Sequence, residues 1–320
     1  MSGSTGLVLE RLPETQLTGI QPLFSSVFGH EISAALLDWK YAHARGQSWV
    51  ARLAGDPAPQ VHCGVCFRDI LFEGEALRAG QLVDLMAAPK GFGLTRKNSP
   101  FSLLLKHILQ QLPNAANPAG VVFGVPSGRS MRLAEHCGVA TEVDRWLELH
   151  LHPARASRSP RLRNWPAGNT ASATSAWNRM ASTLNDAALG VRDTGYLEHR
   201  YLRHPEHTYQ LMEVTSAWLR SPMGIVVMRR HPQHFEILDL QAAWEHMPEI
   251  LLAIRNWLAL SGNDVAVLSL TESFARQLSP FASSTRMTEF RIMGNPFCSA
   301  DTLRSLSNRW WLTGGDTDYR

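Results

Sequence analysis

Two short sequence patterns occur twice, in the same order, in this chain of 320 residues. The first, LLDWKY at 36–41, returns as YLEHRY at 196–201. The second, LVDLM at 82–86, returns as ILDLQ at 237–241, after a comparable run of β-rich segments. An internal repeat of this kind predicts two copies of one folding unit rather than a single continuous core. The chain is long enough to give each copy a core of its own.

The first half of the chain is predicted to contain a strand, two helices, three antiparallel strands, and then alternating helices and strands. Alternating apolar residues predict the strands, and apolar residues three and four positions apart predict the helices. The turn-rich sequences GDPAPQ and FEGEAL separate the three antiparallel strands. The predicted strands cover residues 7–12, 48–53, 60–70, 77–86, 120–125 and 142–151, and the predicted helices cover 14–28, 31–41, 99–111 and 127–136.

A segment near the middle of the chain has the composition of a linker. Residues 153–172 are rich in Pro, Ser, Ala and Arg and lack apolar periodicity. We therefore predict an N-terminal domain at 1–152, a linker at 153–172 and a C-terminal domain at 173–320. The predicted fold class is α/β, with mixed sheets in two domains of the same kind.

Composition excludes several classes of protein. The 31 basic and 28 acidic residues nearly balance, and the tryptophans do not collect on one basic face, so we expect no nucleic-acid partner. No stretch reaches the roughly 18 uncharged apolar residues of a membrane span, and the N-terminus lacks a signal-peptide pattern. Four cysteines do not make a disulfide framework. We expect a cytoplasmic protein with free thiols and no membrane span.

The stretch LVDLMAAPKGFGLTRKNSPF, residues 82–101, combines an apolar strand, a loop with two glycines and the start of a helix. Ser99 followed by Pro100 fits an N-cap and a first helical residue. A helix N-terminus presents unpaired N–H groups and a partial positive charge, and glycines allow a backbone to approach an anion closely. Because Arg96 and Lys97 add positive charge, the loop is predicted to bind a phosphate group.

With these features, the chain resembles the tandem two-domain members of the GNAT acyltransferase family over nearly its whole length. The sequence VVFGVPSGRS at 121–130 and the tail WWLTGGDTDY at 310–319 also resemble such proteins. The resemblance implies two GNAT-like domains in tandem and acetyl-CoA or another acyl-CoA as co-substrate. The second domain is predicted to be degenerate, because LDLQAAWEHMPEI at 238–250 passes from strand to helix without a glycine. The first domain also departs from the family pattern, since extra residues around TRKN separate KGFG from the helix.

The resemblance assigns a donor site to the same stretch. The backbone of the strand would bind the pantetheine arm, an N–H near Met86 would polarise the acyl carbonyl, and the loop would bind the pyrophosphate. No metal is implied. The residues assigned to the donor are Leu85, Met86, Ala87, Gly91, Gly93, Arg96, Lys97, Asn98 and Ser99.

Acyl transfer to an amine requires a base for the amine, stabilisation of the carbonyl oxygen and a proton for the leaving thiolate. Asp84 is the first candidate for the base, because a carboxylate in an apolar strand is costly unless it is paired or useful. Its repeat counterpart Asp239 favours a structural alternative, in which each aspartate pairs with the repeated Lys40 or Arg200. The lesser candidates are Glu31, Tyr41 and Ser130, the last two as proton donors to sulfur.

Two further sequence patterns bear on other chemistry. Cys63 and Cys66 lie three apart in the predicted strand containing HCGVC, so they point to opposite faces and do not form a metal or redox pair. Four arginines of the linker, at 155, 158, 161 and 163, could contact an anionic partner. A solvated linker is the simpler interpretation of these charges.

These observations predict an acyl-CoA-dependent N-acyltransferase, with acetyl as the expected acyl group and direct attack by an acceptor amine. The resemblance implies a small-molecule or glycan acceptor such as an amino sugar or a surface-polysaccharide precursor. One alternative is a catalytically inactive GNAT-like protein that binds a ligand or serves as a scaffold. Another is a Fem-like aminoacyltransferase, whose aminoacyl-tRNA donor the near-neutral charge disfavours.

Overall fold

A computed structural model describes residues 6–89, 92–93, 96–112, 121–156, 159–166 and 168–317. The chain divides into two compact units. The first comprises Met1–Asp69, Leu77–Val143 and Phe290–Ser305, and the second comprises Ile70–Ala76, Asp144–Glu289 and Leu306–Arg320. Within the described part of the chain, no helix combines the length and apolar character needed to cross a bilayer.

The first unit is a mixed sheet with helices on both faces. Its elements are β1 (Leu7–Leu12), α1 (Gln21–Phe28), α2 (Ala34–Tyr41), β2 (Gly46–Leu53), β3 (Val61–Phe72), β4 (Glu75–Ala87), α3 (Pro100–Gln111), β5 (Val122–Gly124), α4 (Gly128–His136) and the start of β6 (Thr141–Leu151). The strands follow the order β1-β2-β3-β4-β5; β1, β2 and β3 pair antiparallel, and β4 pairs parallel with β5. A 3₁₀ helix at Glu14–Ile20 precedes α1, so the predicted helix 14–28 has two parts.

Two apolar cores cover the two faces of this sheet. Amphipathic α3 packs Leu104 and Ile108 against one face, together with Val65 of β3. Phe24 of α1 and Leu37 of α2 pack against the other face, in the core that also holds the end of β4. Because successive strand residues face opposite sides, β4 contributes to both cores.

The second unit has a similar order of helices and strands, except that a short strand lies between its first two helices. Its elements are β7 (Arg161–Asn164), α5 (Thr170–Thr183), β8 (Ala188–Gly190), α6 (Thr194–Leu197), β9 (Gln210–Thr215), β10 (Pro222–Arg230), β11 (Phe235–Ala242), α7 (Met247–Ser261), β12 (Ala266–Thr271), α8 (Glu272–Leu278), the first part of β13 (Ser284–Gly294), and β14 (Trp310–Trp311). The end of β13 and nearly all of α9 (Ala300–Leu306) belong to the first unit, whereas β6 belongs to the second unit from residue 144 onward. The strands of the second unit follow the order β6-β12-β11-β10-β9-β7, with β11 and β12 parallel.

The structure differs from the predicted domain limits at two places. Within the predicted linker, β7 pairs antiparallel with β9, and α5 begins at Thr170. Near the other end of the chain, 290–305 belongs to the first unit, because Met293 and Gly294 of β13 pair with β5. Both differences come from pairing between distant segments, which local composition does not report.

Candidate functional site

Strand β4 separates from its parallel neighbour β5 partway along its length. The two strands pair at Gly80–Val122 and Gln81–Phe123. Strand β5 then ends at Gly124, whereas β4 continues to Ala87. Among the described residues, no ladder connects β5 to the stretch 82–87. The divergence therefore leaves the β5-facing backbone groups of that stretch without a strand partner.

A β-bulge at Asp84 changes the side-chain alternation of β4 at the same point. Asp84 has a φ of 46°, in the left-handed region, where a non-glycine residue costs about 1–3 kcal/mol. Val83 and Met86, three residues apart, both face the core formed by α1 and α2, whereas Leu85 packs against the opposite core. In a regular strand, residues three apart face opposite sides. The bulge therefore reorients the backbone at Leu85 and Met86, the residues predicted to bind the acyl donor.

The side chain of Asp84 is enclosed by the last two residues of α2. Lys40 Nζ donates to Oδ1 at 2.7 Å, and the Tyr41 hydroxyl donates to Oδ2 at 2.5 Å. All three side chains are buried. Burial disfavours the carboxylate, but the Lys40 ammonium and the two hydrogen bonds outweigh it, so the pKa of Asp84 lies below its usual range. Asp84 is therefore ionised at neutral pH, and each of its oxygens already accepts a hydrogen bond.

His62 of β3 forms a hydrogen bond with the backbone of Asp84. Its Nδ1 lies 2.7 Å from the carbonyl oxygen of Asp84, and its Nε2 lies 2.9 Å from Ser48 Oγ. Because a carbonyl oxygen only accepts, Nδ1 carries the proton, and in the neutral ring Nε2 accepts from the Ser48 hydroxyl. Burial lowers the pKa of His62, and the charge of Asp84 offsets this only in part. A neutral imidazole thus fixes the bulge from the neighbouring strand.

The other predicted catalytic residues lie elsewhere in the first unit. Glu31 is exposed between α1 and α2, where its carbonyl oxygen lies 3.1 Å from His30 Nδ1. Ser130 is exposed in the first turn of α4, and its amide donates to Ser127 Oγ at 3.3 Å. Among the described residues, no hydrogen bond or ion pair connects Glu31 or Ser130 to Asp84. Of the four candidates, the structure brings together Asp84 and Tyr41.

The loop predicted to bind phosphate presents its basic side chains to solvent. Arg96, Lys97 and Asn98 are exposed, and a Cβ placed on Gly93 would meet no atom within 4 Å. The carbonyl of Arg96 accepts from the Ser99 amide at 3.1 Å and from Ser102 Oγ at 2.9 Å. These two hydrogen bonds connect the end of the loop to the start of α3. Predicted residue Gly91 lies outside the described residues, as do positions 90, 94 and 95.

Helix α3 begins as predicted, with Ser99 as N-cap and Pro100 at its first position. Ser99 Oγ accepts from the amide of Ser102 at 3.2 Å, and the amide of Phe101 donates to the Phe92 carbonyl at 3.2 Å. Proline has no amide proton, so the first three positions of α3 have no unpaired N–H. Contrary to the expectation from the sequence, this helix start presents no unpaired N–H at its first three positions. A phosphate group would have to bind the loop amides and the side chains of Arg96 and Lys97.

Asp239, the counterpart of Asp84 in the second unit, forms its ion pair with a cation from a different element. Arg192 Nε donates to Asp239 Oδ1 at 2.7 Å, and the Tyr201 hydroxyl donates to Oδ2 at 3.0 Å. The same guanidinium donates to Asp316 Oδ2 at 2.5 Å. Arg200, the partner considered from the repeat, instead donates to the carbonyl of Gly315 at 2.9 Å. The tyrosine–aspartate contact is therefore common to both units, whereas the cation comes from a different element.

The C-terminal segment 310–317 fills the corresponding divergence in the second unit. Strands β11 and β12 pair as far as Ile237–Leu268, and β11 continues to Ala242. The amide and hydroxyl of Thr271, at the end of β12, donate to the carbonyls of Leu312 and Trp310. On the β11 side, a Cβ on Gly315 would lie 3.0 Å from the carbonyl of Leu238. The segment thus contacts both diverging strands and is buried there.

Sequence reasoning missed His62, Ser48, Arg192 and Asp316 as members of these networks. His62 did carry a signal, because a histidine in an apolar strand requires a partner. Its neighbour Cys63 is also buried, and burial raises the pKa of that thiol, which disfavours the reactive thiolate. Arg192 lies far from its two aspartates in sequence, and no local pattern connects them.

No family model matches this sequence, and neither does any curated protein. Solved structures match its fold. A conserved protein of unknown function from Enterococcus faecalis V583, described as a probable N-acyltransferase, matches with a TM-score of 0.69 and 11% identity, over 91% of this chain and 72% of that chain.

Two GCN5-related N-acetyltransferases also match. The one from Kribbella flavida has a TM-score of 0.65 and 16% identity, over 92% of this chain and 72% of that chain. The one from Anabaena variabilis ATCC 29413 has a TM-score of 0.65 and 10% identity, over 90% of this chain and 72% of that chain. The chain therefore has the fold of GCN5-related N-acetyltransferases, and the predicted α/β fold class is confirmed.

Proposed function

We propose that this protein is an acyl-CoA-dependent N-acyltransferase with its donor site in the first unit. The observation that carries the proposal is the divergence of β4 from β5 at the point where the Asp84 bulge reorients the backbone. The donor would extend along Leu85, Met86 and Ala87 and place its phosphates near Arg96 and Lys97. The likeness of fold to N-acetyltransferases supports the same activity.

The reaction proposed is direct transfer from the thioester donor. The nitrogen of a neutral amine attacks the carbonyl carbon, the carbon–sulfur bond breaks, the nitrogen loses a proton, and the leaving thiolate takes one up. The backbone N–H near Met86 is the proposed donor to the carbonyl oxygen, because charge develops on that oxygen during attack. The donor is a substrate, and no covalent enzyme intermediate is required.

We assign Asp84 a positioning role in this reaction and keep proton transfer as its alternative. Both of its oxygens are engaged, and a carboxylate with a lowered pKa is a weak base for an amine. Exposed Glu31 and Ser130 remain proposed proton-transfer residues.

Asp84→Asn should lower kcat while leaving the acidic limb of the pH–rate profile in place. Loss of that limb would identify Asp84 as the base.

The second unit is proposed as a degenerate copy of the first, in a tandem arrangement. Segment 310–317 occupies its strand divergence, which supports a unit that binds no donor. The proposed acceptor is a small-molecule or glycan amine, such as an amino sugar or a surface-polysaccharide precursor. One observation favours the non-catalytic alternative: the first-turn amides of α3 are already paired.

Calorimetric titration with acetyl-CoA and longer acyl-CoAs tests the donor site. We expect saturable binding that Arg96→Ala/Lys97→Ala weakens by about tenfold or more, because each charge-assisted phosphate contact contributes on the order of 1 kcal/mol or more. Arg129→Ala/Arg132→Ala on the exposed face of α4 is the matched control and should bind as the wild type does. Absence of binding to every acyl-CoA would reject the donor site and favour a non-catalytic protein.

A further inference from the structure

A groove of about 900 Å³ lies in the second unit, away from the aspartate network. Its walls come from the segment before β7, from the second half of α7 and from the turn between β9 and β10. A volume of this size suits a small molecule, since ligand sites commonly occupy about 300–1,000 Å³. Its lining includes Arg155, Arg161, Trp218, Trp257 and Leu260.

The groove is held in shape by hydrogen bonds among the elements that line it. The amide of Ala154 donates to the carbonyl of Arg255 at 3.1 Å, and the amide of Ala156 donates to Asn256 Oδ1 at 3.2 Å. These bonds tie the segment before β7 to α7. On the opposite side, the amide of Ser216 donates to the Ser221 carbonyl at 2.9 Å, closing the turn that carries Trp218. Hydrogen bonds therefore fix the described residues on both sides of the groove.

Among the described residues of this groove, two guanidinium groups have no counter-charge. Arg155 and Arg161 are exposed, and neither side chain makes a hydrogen bond or ion pair with any residue that the structure describes. By contrast, neighbouring Arg163 is neutralised by Glu213 at 2.5 Å. The lining residues that the structure describes include no Asp or Glu. The groove therefore has the charge to bind an anion, and a guanidinium suits phosphate because it donates in a planar fork.

Apolar and aromatic surface lies beside these charges. Trp218 is 76% exposed and Leu260 is 71% exposed. Trp257 is half-buried and anchored edge-on against Phe235, with ring centroids 5.0 Å apart. Exposed apolar side chains that cluster at a concave site mark a place of interaction. Indole faces pack well against rings, so this surface suits a ring rather than a flexible chain.

We propose that this groove is a binding site for a small phosphorylated ring compound. The phosphate would lie between Arg155 and Arg161, and the ring would pack against Trp218. Nucleoside phosphates and sugar phosphates share this chemistry. The proposal is independent of the donor site in the first unit.

Calorimetric titration of the full-length protein with UDP, ADP, glucose 1-phosphate and inorganic pyrophosphate tests the site. At least one ring compound should bind more tightly than pyrophosphate. Arg155→Gln/Arg161→Gln should weaken that binding tenfold or more, and Trp218→Ala should weaken ring compounds without affecting pyrophosphate. Because these three side chains are exposed, the variants should keep the thermal midpoint of the wild type, which confirms that they are folded.

Two controls separate this site from others. Arg129→Gln/Arg132→Gln removes the same charge from the first unit and should leave binding unchanged. The effects of Arg155→Gln/Arg161→Gln and of Trp218→Ala should be the same when Arg96→Ala/Lys97→Ala is also present, which separates the groove from any binding of ADP or pyrophosphate at the proposed donor loop. Preference for UDP and ADP would identify a nucleotide site, and preference for glucose 1-phosphate a sugar-phosphate site. The proposal is rejected if no ring compound binds better than pyrophosphate, or if Arg155→Gln/Arg161→Gln binds as the wild type does.

Discussion

Asp84 carries a negative charge inside the first unit, and Lys40 supplies the positive charge that keeps it there. The two side chains are 5% and 4% exposed and form an ion pair at 2.7 Å. A buried pair of this kind contributes little net stability compared with apolar residues, but removing one partner leaves an uncompensated charge. The pair therefore constrains the bulge at Asp84 more than it stabilises the fold.

Lys40→Met should accordingly destabilise the protein strongly. We expect the free energy of unfolding, measured by urea denaturation, to fall by about 3–5 kcal/mol. Arg304→Met, which breaks the exposed pair with Asp301, is the control and should cost less than about 1 kcal/mol. The double variant Lys40→Met/Asp84→Asn should regain part of the loss. Equal effects of Lys40→Met and Arg304→Met would show that Asp84 is not held as a charge.

His62 should make stability depend on pH. The pKa of His62 in the folded protein lies below its unfolded value of 6.5, so below pH 6.5 the unfolded chain binds more protons than the folded one. The stability that this histidine contributes is present above pH 6.5 and is lost as the pH falls toward its folded pKa. His207 and His234 are shifted in the same direction in the second unit.

His62→Asn should therefore flatten this dependence. Between pH 7.5 and pH 5 the wild type should lose more free energy of unfolding than the variant, although the variant is less stable at pH 7.5. Urea denaturation at five or six pH values measures both slopes. His136→Asn, at the exposed end of α4, should keep the wild-type slope. A variant slope as steep as that of the wild type would mean that other groups cause the pH dependence.

At the scale of single elements, helix α3 has its start defined by a short sequence. Ser99 is 5% exposed, and its hydroxyl accepts from the Ser102 amide. Ser99→Ala should lower the free energy of unfolding by about 0.5–2 kcal/mol, because an N-cap acceptor is lost inside the protein. Ser99→Thr keeps the acceptor and should recover most of that loss in the same urea experiment. Ser99→Ala with wild-type stability would show that the Phe92–Phe101 bond alone defines this helix start.

The helices and strands that the sequence predicts correctly are those whose apolar residues recur at the regular spacing of a helix or a strand. Helix α3 was predicted at 99–111 and is observed at Pro100–Gln111, and β1 was predicted and is observed at Leu7–Leu12. Strand β7 was missed, because RLRN has one apolar residue and becomes a strand only by pairing with β9. The pairing of Arg192 with Asp316 was missed for the same reason: it joins segments that no local pattern connects.

The candidate site at 82–101 could be predicted from the sequence to about the same extent as the helices and strands. The stretch 82–101 contains the bulge, the loop and the helix start that the proposed function uses, and its pattern was visible in the sequence. The left-handed backbone of Asp84 was not visible, since it depends on His62 and Lys40 from other elements. The fold shows why: a buried polar residue is tolerated only with its partners, and those partners come from distant positions.

At the scale of the whole molecule, the first unit is not continuous in sequence. Residues 290–305 return to it after the chain has formed most of the second unit. This segment contributes Met293 to the core of α3 and pairs with the edge of β5. Asn295 also donates to the carbonyl of Leu109, at the end of α3, at 3.2 Å.

A fragment covering residues 1–152, the N-terminal domain predicted from composition, should therefore fold poorly. Without 290–305, a core position is vacated and the short strand β5 becomes an exposed edge. The same fragment joined to 290–305 by about 20 Gly/Ser residues, whose average span is about 25 Å, should recover cooperative urea unfolding. A fusion of equal length carrying Ile292→Asp/Met293→Asp is the matched control and should not recover it, because both side chains are buried. Cooperative unfolding of 1–152 alone, equal to that of the fusion, would show that the N-terminal segment is an independent domain.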